Sequence, residues 1–398
     1  MLDEIDVHRW LRASLFHRRF SRHTDAHPWR HTPSHTRTVC SVPSPIEHAE
    51  LGTRVGSALT EFLRRQRHRL TDIDVELGRV AEAAELFILG GGKRIRPAFA
   101  YWGYRGAAGP DGDAIVACVS SLELLQASAL MHDDLMDDSD TRRGEPSVHR
   151  RFATHHRDAG WSGSPEHFGS CAAILLGDLC MTWSDEMFTG GGMSADAVGR
   201  ARADFDFMRT EVSAGQYLDV LTQAQRDTSI ERALKVARFK SAKYTIERPL
   251  LIGAALADGS PELRECYSAF GLPLGEAFQL RDDVLGVFGD PSHTGKPAGD
   301  DLREGKHTFL IASAYETTDA AGSKLLDELL GDPELDVSGV AALRQVITES
   351  GALDRTEQRI DRLAEQTRAA LEKGRPLMVP EAFDMLERFG EAAVRRRL

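Results

Sequence analysis

Apolar residues recur along most of the chain at intervals of three and four, the spacing that sets side chains on one face of an α-helix. Val198, Ala201, Phe205, Met208 and Val212 form one such row, and Ile360, Leu363, Ala364, Thr367 and Leu371 form another near the C-terminus. Helix starts stand beside these rows. Ser194 occupies an N-cap position, and Thr228-Ser-Ile-Glu231 has the Ser/Thr-x-x-Glu form of a capping box. Turn formers separate the rows, in GAAGPDGD at 106–113, TGGGMS at 189–194, ADGSPE at 257–262, GDPSHTGKPAG at 289–299 and GDPELD at 331–336. Strand-like and helix-like patterns do not alternate. The pattern predicts one all-α domain over residues 46–398, with no internal repeat.

Residues 1–45 differ. Six histidines, at 8, 17, 23, 27, 31 and 35, lie among Arg9, Arg12, Arg18, Arg19, Arg22, Arg30 and Arg37, with prolines at 28, 33, 43 and 45 and no apolar periodicity. A secretory signal needs an apolar central stretch, and Asp3, Glu4, Asp6 and Asp25 are foreign to a transit peptide. The expectation is a disordered His/Arg-rich extension.

Composition narrows the function classes. Across 398 residues, 49 Lys+Arg against 61 Asp+Glu leave a net charge of −12, which disfavours a nucleic-acid binder relying on phosphate electrostatics. Five scattered cysteines offer neither a zinc cluster nor a disulfide framework, and point to a reducing cytoplasm. Asp178 interrupts CAAILLGDLCM and Asp258 closes PLLIGAALAD, so neither run reaches the about 20 residues of a membrane span, and no stable membrane insertion is expected.

Candidate chemistry concentrates in three places. In LELLQASALMHDDLMDDSDTRRG, residues 122–144, a core-type helical run ends in Asp133, Asp134, Asp137 and Asp138. Asp133 and Asp137, four apart, share a helix face at a spacing suited to hard Mg²⁺ ions that in turn grip phosphate oxygens. A second acidic pair, Asp282 and Asp283, closes another apolar run roughly 150 residues later. Two such sets imply a diphosphate held between them. The third place is GGGKRIRP at 90–97, whose glycines allow close backbone approach and whose Lys93, Arg94 and Arg96 offer cations to a second polyanion, joined by Arg142 and Arg143. It is no Walker A loop, since Arg94 stands where Ser or Thr is needed. Each segment alone is equally readable as a solvated acidic or basic turn.

Together they resemble the trans-isoprenyl diphosphate synthases, or polyprenyl synthetases, over about Leu51 to Leu398, through the ordered set GGGKRIRP, DDLMDDSDTRRG, GQYLD, KSAKYT and FQLRDDVLGVFGDPSHTGK. The resemblance implies an antiparallel helical bundle around a deep central cavity, a homodimer, and head-to-tail condensation of isopentenyl diphosphate with an allylic diphosphate. It implies that Asp133, Asp137 and Asp282 hold Mg²⁺, as three ions with bound diphosphate. Lys93, Arg96, Gln126 and Arg143 correspond to isopentenyl diphosphate ligands, and Arg142 to an allylic diphosphate ligand. By the same resemblance Lys240, Lys296 and Lys306 would complete the cationic shell, and Ser241 and Gln279 would stabilise the allylic cation. Gln216 and Asp219 of GQYLD are equally a buried hydrogen-bonding pair.

One position departs from the pattern. Gly286 stands where many relatives place a third aspartate, and Asp290 is the nearest acid that follows. The stretch also approaches the second metal motif of class I terpene cyclases, which makes a cyclase the alternative; a non-catalytic regulatory subunit is a third reading. Cyclases have no use for a second diphosphate site, so GGGKRIRP and RRG favour the synthase. Ser128 and Ala129, one helical turn before the first motif, leave room for a growing tail. Termination at fifteen carbons is therefore disfavoured and a twenty-carbon product expected, with longer chains and the farnesyl product as alternatives.

Overall fold

The structure is a computed structural model that describes residues 49–289 and 299–394. The N-terminal extension over 1–45, Asp290, Lys296 and Arg395 to Arg397 lie outside the described residues. Helices dominate in the order α1 (Ala49–Ile73), α2 (Gly78–Leu89), α3 (Ile95–Gly106), α4 (Asp113–Met136), α5 (Val148–Asp158), α6 (Pro165–Gly190), α7 (Ala195–Gln225) and α8 (Ile230–Val236). A π-helical segment, Ala237–Glu247, runs from α8 into α9 (Arg248–Leu256). There follow α10 (Pro261–Phe288), α11 (Asp300–Arg303), α12 (Phe309–Thr317), α13 (Ala320–Leu329), α14 (Val337–Glu349), α15 (Ala352–Gly374) and α16 (Pro380–Val394). The expected all-α class holds. The one sheet among the described residues is a two-residue hairpin pairing β1 (Thr141–Arg142) with β2 (Glu145–Pro146).

The helices begin where the sequence caps them. Ser164, Ser194, Ser260, Thr308, Asp319 and Asp336 each accept a hydrogen bond from the backbone N–H three residues on. The cap of α8 is Ser229, accepting from Arg232, and not Thr228. The expected box is thus shifted by one residue. The two apolar rows face inward as predicted: Ala201, Phe205, Met208, Ile360, Leu363 and Leu371 are all buried.

The centre of the main core is α4, buried against α6. By length and composition alone α4 could cross a membrane, a run that the sequence reading passed over. The structure buries 72% of its most apolar stretch inside the protein. A smaller core joins the C-terminal part of α10 to α11–α14.

Two features fix the frame around the candidate site. Helices α3 and α9 cross backbone to backbone: a Cβ on Gly253 would lie 2.0 Å from the Ala100 carbonyl oxygen, and one on Gly103 2.5 Å from that of Leu250. The π-helical segment is gripped the same way, with Gly215 of α7 against the Lys240 nitrogen (2.4 Å to a Cβ) and Gly275 of α10 against the Ala242 Cα (2.5 Å). A network of ion pairs anchors it as well. Glu211 on α7 binds Lys243 (3.0 Å) and Arg248 (2.7 Å), and Arg248 continues to the buried Asp204 (3.1 Å). Long π stretches are rare and concentrate at functional sites.

Gly253→Ala is expected to lower the urea unfolding free energy by about 1–3 kcal/mol, the usual cost of forcing a methyl into a closed contact. An unchanged midpoint would mean that the α3–α9 crossing is not closed to side chains.

Candidate active site

Helix α4 delivers the first acidic set at its C-terminal end and stops there. Asp137 is the C-cap, and Asp138 follows in the left-handed region at φ 52°. Carboxylates at a helix C-terminus oppose the macrodipole, so the position calls for cations. Two lysines answer. Lys240 Nζ, from the π-helical segment, donates to Asp133 Oδ1 (3.1 Å) and to Asp219 Oδ2 (2.6 Å). Gln216 Nε2 donates to the same Asp133 oxygen at 2.9 Å. Lys306 Nζ binds Asp137 Oδ2 (3.1 Å) and Glu304 Oε2 (2.6 Å). GQYLD and KSAKYT, 83 and 107 residues beyond Asp133 at their contacting residues, therefore meet on the first acidic set, and Gln216 and Asp219 belong to the site.

Burial opposes ionisation of Asp133, but the charges of Lys240, Lys306 and Arg142 prevail and pull its carboxyl down to about 2. Asp137 moves the other way, raised by burial and by the charges of Asp133 and Glu304. In the second set Asp283 is buried and receives a hydrogen bond from Gln279 Nε2 (2.7 Å). Burial, with the nearby charges of Asp301, Asp282 and Asp219, pushes it up to about 8. Asp134 differs from its neighbours, since it is buried and accepts from Arg142 Nε (2.6 Å), fixing that guanidinium 3.7 Å from Asp133 Oδ2.

The basic segments also converge. Arg143, left-handed at φ 56°, donates to the Gly91 carbonyl (2.6 Å), and its guanidinium lies 3.3 Å from the place a Cβ on Gly92 would take. Gly92 itself has φ 131°, so the glycine run is needed for both shape and approach. Arg94 is spent on structure, pairing with the buried Glu123 (2.6 Å) and the Ile88 carbonyl (2.8 Å). Arg96 turns inward, stacks 4.3 Å from the Tyr244 ring centroid and donates to Thr245 Oγ1 (2.8 Å). Its Nε is buried without a hydrogen-bond partner, as are Gln126 Oε1 and the Tyr244 hydroxyl. Lys93 is exposed at the loop surface. Ser241 is half-buried beside Lys240.

The sequence reading missed Glu304, Tyr244 and Thr245. The last two lie inside KSAKYT, and only the π-helical turn reveals that they face Arg96. Gln279, expected at the allylic cation, is turned toward Asp283. Ser128 is fully buried with its Oγ unpartnered, while Ala129 is partly buried against the main core.

Oxygen-only donors fit a hard cation such as Mg²⁺. No three acidic, His or Cys side chains among the described residues gather around one point, and the acids of the first set are instead paired with Lys240 and Lys306.

Residues 78–347 match the family model for polyprenyl synthetase. The chain belongs to that family. This synthetase is 32% identical to the geranylfarnesyl diphosphate synthase of Aeropyrum pernix, over 74% of its own length and 87% of the relative's. It is 29% identical to the geranylgeranyl diphosphate synthase of Methanosarcina mazei, over 74% and 85%. In structure it is similar to the geranylgeranyl pyrophosphate synthase of Corynebacterium glutamicum, solved with isoprenyl diphosphate and magnesium: TM-score 0.84 and 39% identity over 87% of this synthetase and 99% of that chain.

Asp133→Ala and Asp137→Ala should each lower turnover at least about 10²-fold, the scale of losing one electrostatic contact to a developing charge. Wild-type turnover in either variant would refute the metal role expected of that residue. Asp283 keeps in the folded state, up to about pH 8, a proton that it loses near 3.8 when unfolded. Stability from this group therefore falls as pH rises through that window. Asp283→Asn should raise Tm, more at pH 9 than at pH 5; an equal shift at both would refute the raised value.

Proposed function

We propose that this synthetase is a Mg²⁺-dependent trans-prenyltransferase that condenses isopentenyl diphosphate with an allylic diphosphate, and that its product is geranylgeranyl diphosphate. One observation carries the reading: the Arg143–Gly91 contact sets a cationic loop near the first acidic set, which Lys240, Lys306 and Arg142 already engage. That arrangement suits two diphosphates, one held through metal and one held by cations alone. A cyclase needs only the first.

Asp133, Asp137 and Asp282 would hold the Mg²⁺, which neutralises the leaving diphosphate. Lys240, Lys306 and Arg142 would pass from carboxylate to diphosphate oxygens and add to that neutralisation. Lys93, Arg96, Gln126 and Arg143 would orient isopentenyl diphosphate, with the unpaired Arg96 Nε and Gln126 Oε1 as open contacts. Ser241, on the π-helical turn, would face the allylic cation while the terminal alkene of isopentenyl diphosphate attacks; the departing diphosphate takes the final proton. Ionising the C–O bond calls for charge neutralisation on the leaving diphosphate and not for a nucleophilic side chain, so no Ser-His-Asp or Cys-His set is required.

A twenty-carbon product rests on the small Ser128 and Ala129 and on relatives named as geranylgeranyl and geranylfarnesyl synthases. Other side chains that could stop the growing tail are Leu124, Leu125, Ser121, Tyr101 and Trp183, which are buried, and Trp102 and Met181, which are partly buried against the main core. We also propose a cytoplasmic homodimer. Ile174 and Leu175 on α6 and Phe207 on α7 are apolar and exposed, and suit a second copy.

Incubation with isopentenyl diphosphate, farnesyl diphosphate and Mg²⁺, followed by dephosphorylation and mass analysis, should yield geranylgeraniol. Ala129→Phe should shift the product to farnesol when a shorter primer is supplied. Release of diphosphate with only unextended hydrocarbon would replace the synthase with the cyclase.

A further inference from the structure

We propose that Glu123 is a positioning residue for isopentenyl diphosphate: one buried carboxylate on α4 pins the glycine-rich loop through Arg94 and keeps Arg96 and Arg143 converged before the ligand arrives. The inference rests on the reading of this loop as the diphosphate site held by cations alone.

Lys93, Arg94, Arg96, Arg142 and Arg143 bring five cations to one corner of the molecule. Burial works against the charge of Arg143, and so do the neighbouring charges of Arg94 and Arg142, while Glu123 and Asp134 act the other way. Burial also works against the charge of Arg96, and Tyr244 and Glu123 oppose it. Both acids come from α4. Glu123 and Asp134 are eleven residues apart, which at 3.6 residues per turn is three turns plus about 20°, so they share one face of the helix. Asp134 accepts from Arg142 Nε (2.6 Å), and Glu123 Oε2 accepts from an Arg94 guanidinium nitrogen (2.6 Å). Asp134 thus anchors the hairpin cation, and Glu123 the loop cation.

Arg94 is where the loop needs an anchor. It is left-handed, at φ 48° and ψ 38°, a conformation uncommon for any residue with a Cβ and sustained only by its surroundings. It stands at the N-cap of α3, yet its side chain makes no cap hydrogen bond. The guanidinium reaches instead to Glu123 and, through its other nitrogen, to the Ile88 carbonyl of α2 (2.8 Å). One side chain therefore ties the start of α3 to α2 and α4. Gln126, whose Oε1 is buried and unpartnered, lies one turn along α4 from Glu123. By charge alone, a carboxylate among cations weakens an anion site, because it competes with the ligand for them. The sign of the effect when Glu123 is neutralised consequently separates positioning from simple charge balance.

The test is calorimetric titration of isopentenyl diphosphate without Mg²⁺, set beside titration of inorganic pyrophosphate with Mg²⁺. Glu123→Gln should raise the Kd for isopentenyl diphosphate about tenfold and leave that for Mg²⁺–pyrophosphate within about twofold. Arg94→Gln should do the same, and the two substitutions together should be no worse than either, since they remove one interaction. If Glu123→Gln does not fold, the paired variant, which leaves no lone buried charge, carries the same expectation. The inference falls if neutralised Glu123 leaves isopentenyl diphosphate bound as tightly as in wild type or more tightly, or if the two single losses add. It falls equally if Mg²⁺–pyrophosphate affinity drops in step, the mark of a general loss of structure. A wild-type protein that binds no isopentenyl diphosphate would overturn the proposed function, and the role of Glu123 with it.

Discussion

The site depends on a buried ammonium. Lys240 lies between Asp133 and Asp219 and ties the end of α4 to α7 through the π-helical segment. Removing a carboxylate from water is costly unless it is paired and hydrogen-bonded, and Asp133 has both a lysine and the Gln216 amide. Much of the surrounding architecture puts that ammonium in place. Gly215 lets α7 approach the Lys240 backbone, Gly275 does the same from α10, and the Glu211–Lys243–Arg248 pairs hold the segment from the far side.

The same arrangement gives the lysines two sets of partners. Lys240 and Lys306 stand between acids that would otherwise repel one another, Asp133 and Asp219 on one side, Asp137 and Glu304 on the other. With a diphosphate present, its oxygens compete with those carboxylates for the same ammoniums. On the proposed function, each carboxylate released in that exchange would become a ligand for a divalent cation. Metal and diphosphate binding would then be coupled through side chains that belong to both.

Much of this was legible in the sequence, for identifiable reasons. Spacings of three and four marked the inward rows of α7 and α15, and Asp133 and Asp137 announced themselves by closing a core-type helix. The role of Asp134 was not legible: it looks like its neighbour, but its side chain turns away and serves Arg142. Arg94 and Arg96 read alike as loop cations, and only three-dimensional packing sends one to Glu123 and the other to Tyr244. The π-helical turn has no sequence signature comparable to a cap, because the ion pairs and glycines that favour it come from helices far away along the chain. Gly286 read as a missing acid, and the structure shows a space filled by another residue.

The crossing of α3 and α9 has a further consequence. Helix α3 begins at the glycine-rich cationic loop, and α9 continues directly from the segment bearing Lys240 and Ser241. Where these helices touch, carbonyl oxygens meet glycine α-carbons with no side chain between them. Side chains can repack and loops can shift, but backbone in contact with backbone has almost no compliance. The separation between the glycine-rich cationic loop and the segment bearing Lys240 is therefore set by backbone packing, and the bundle works as a ruler whose scale is the thickness of two bare helices.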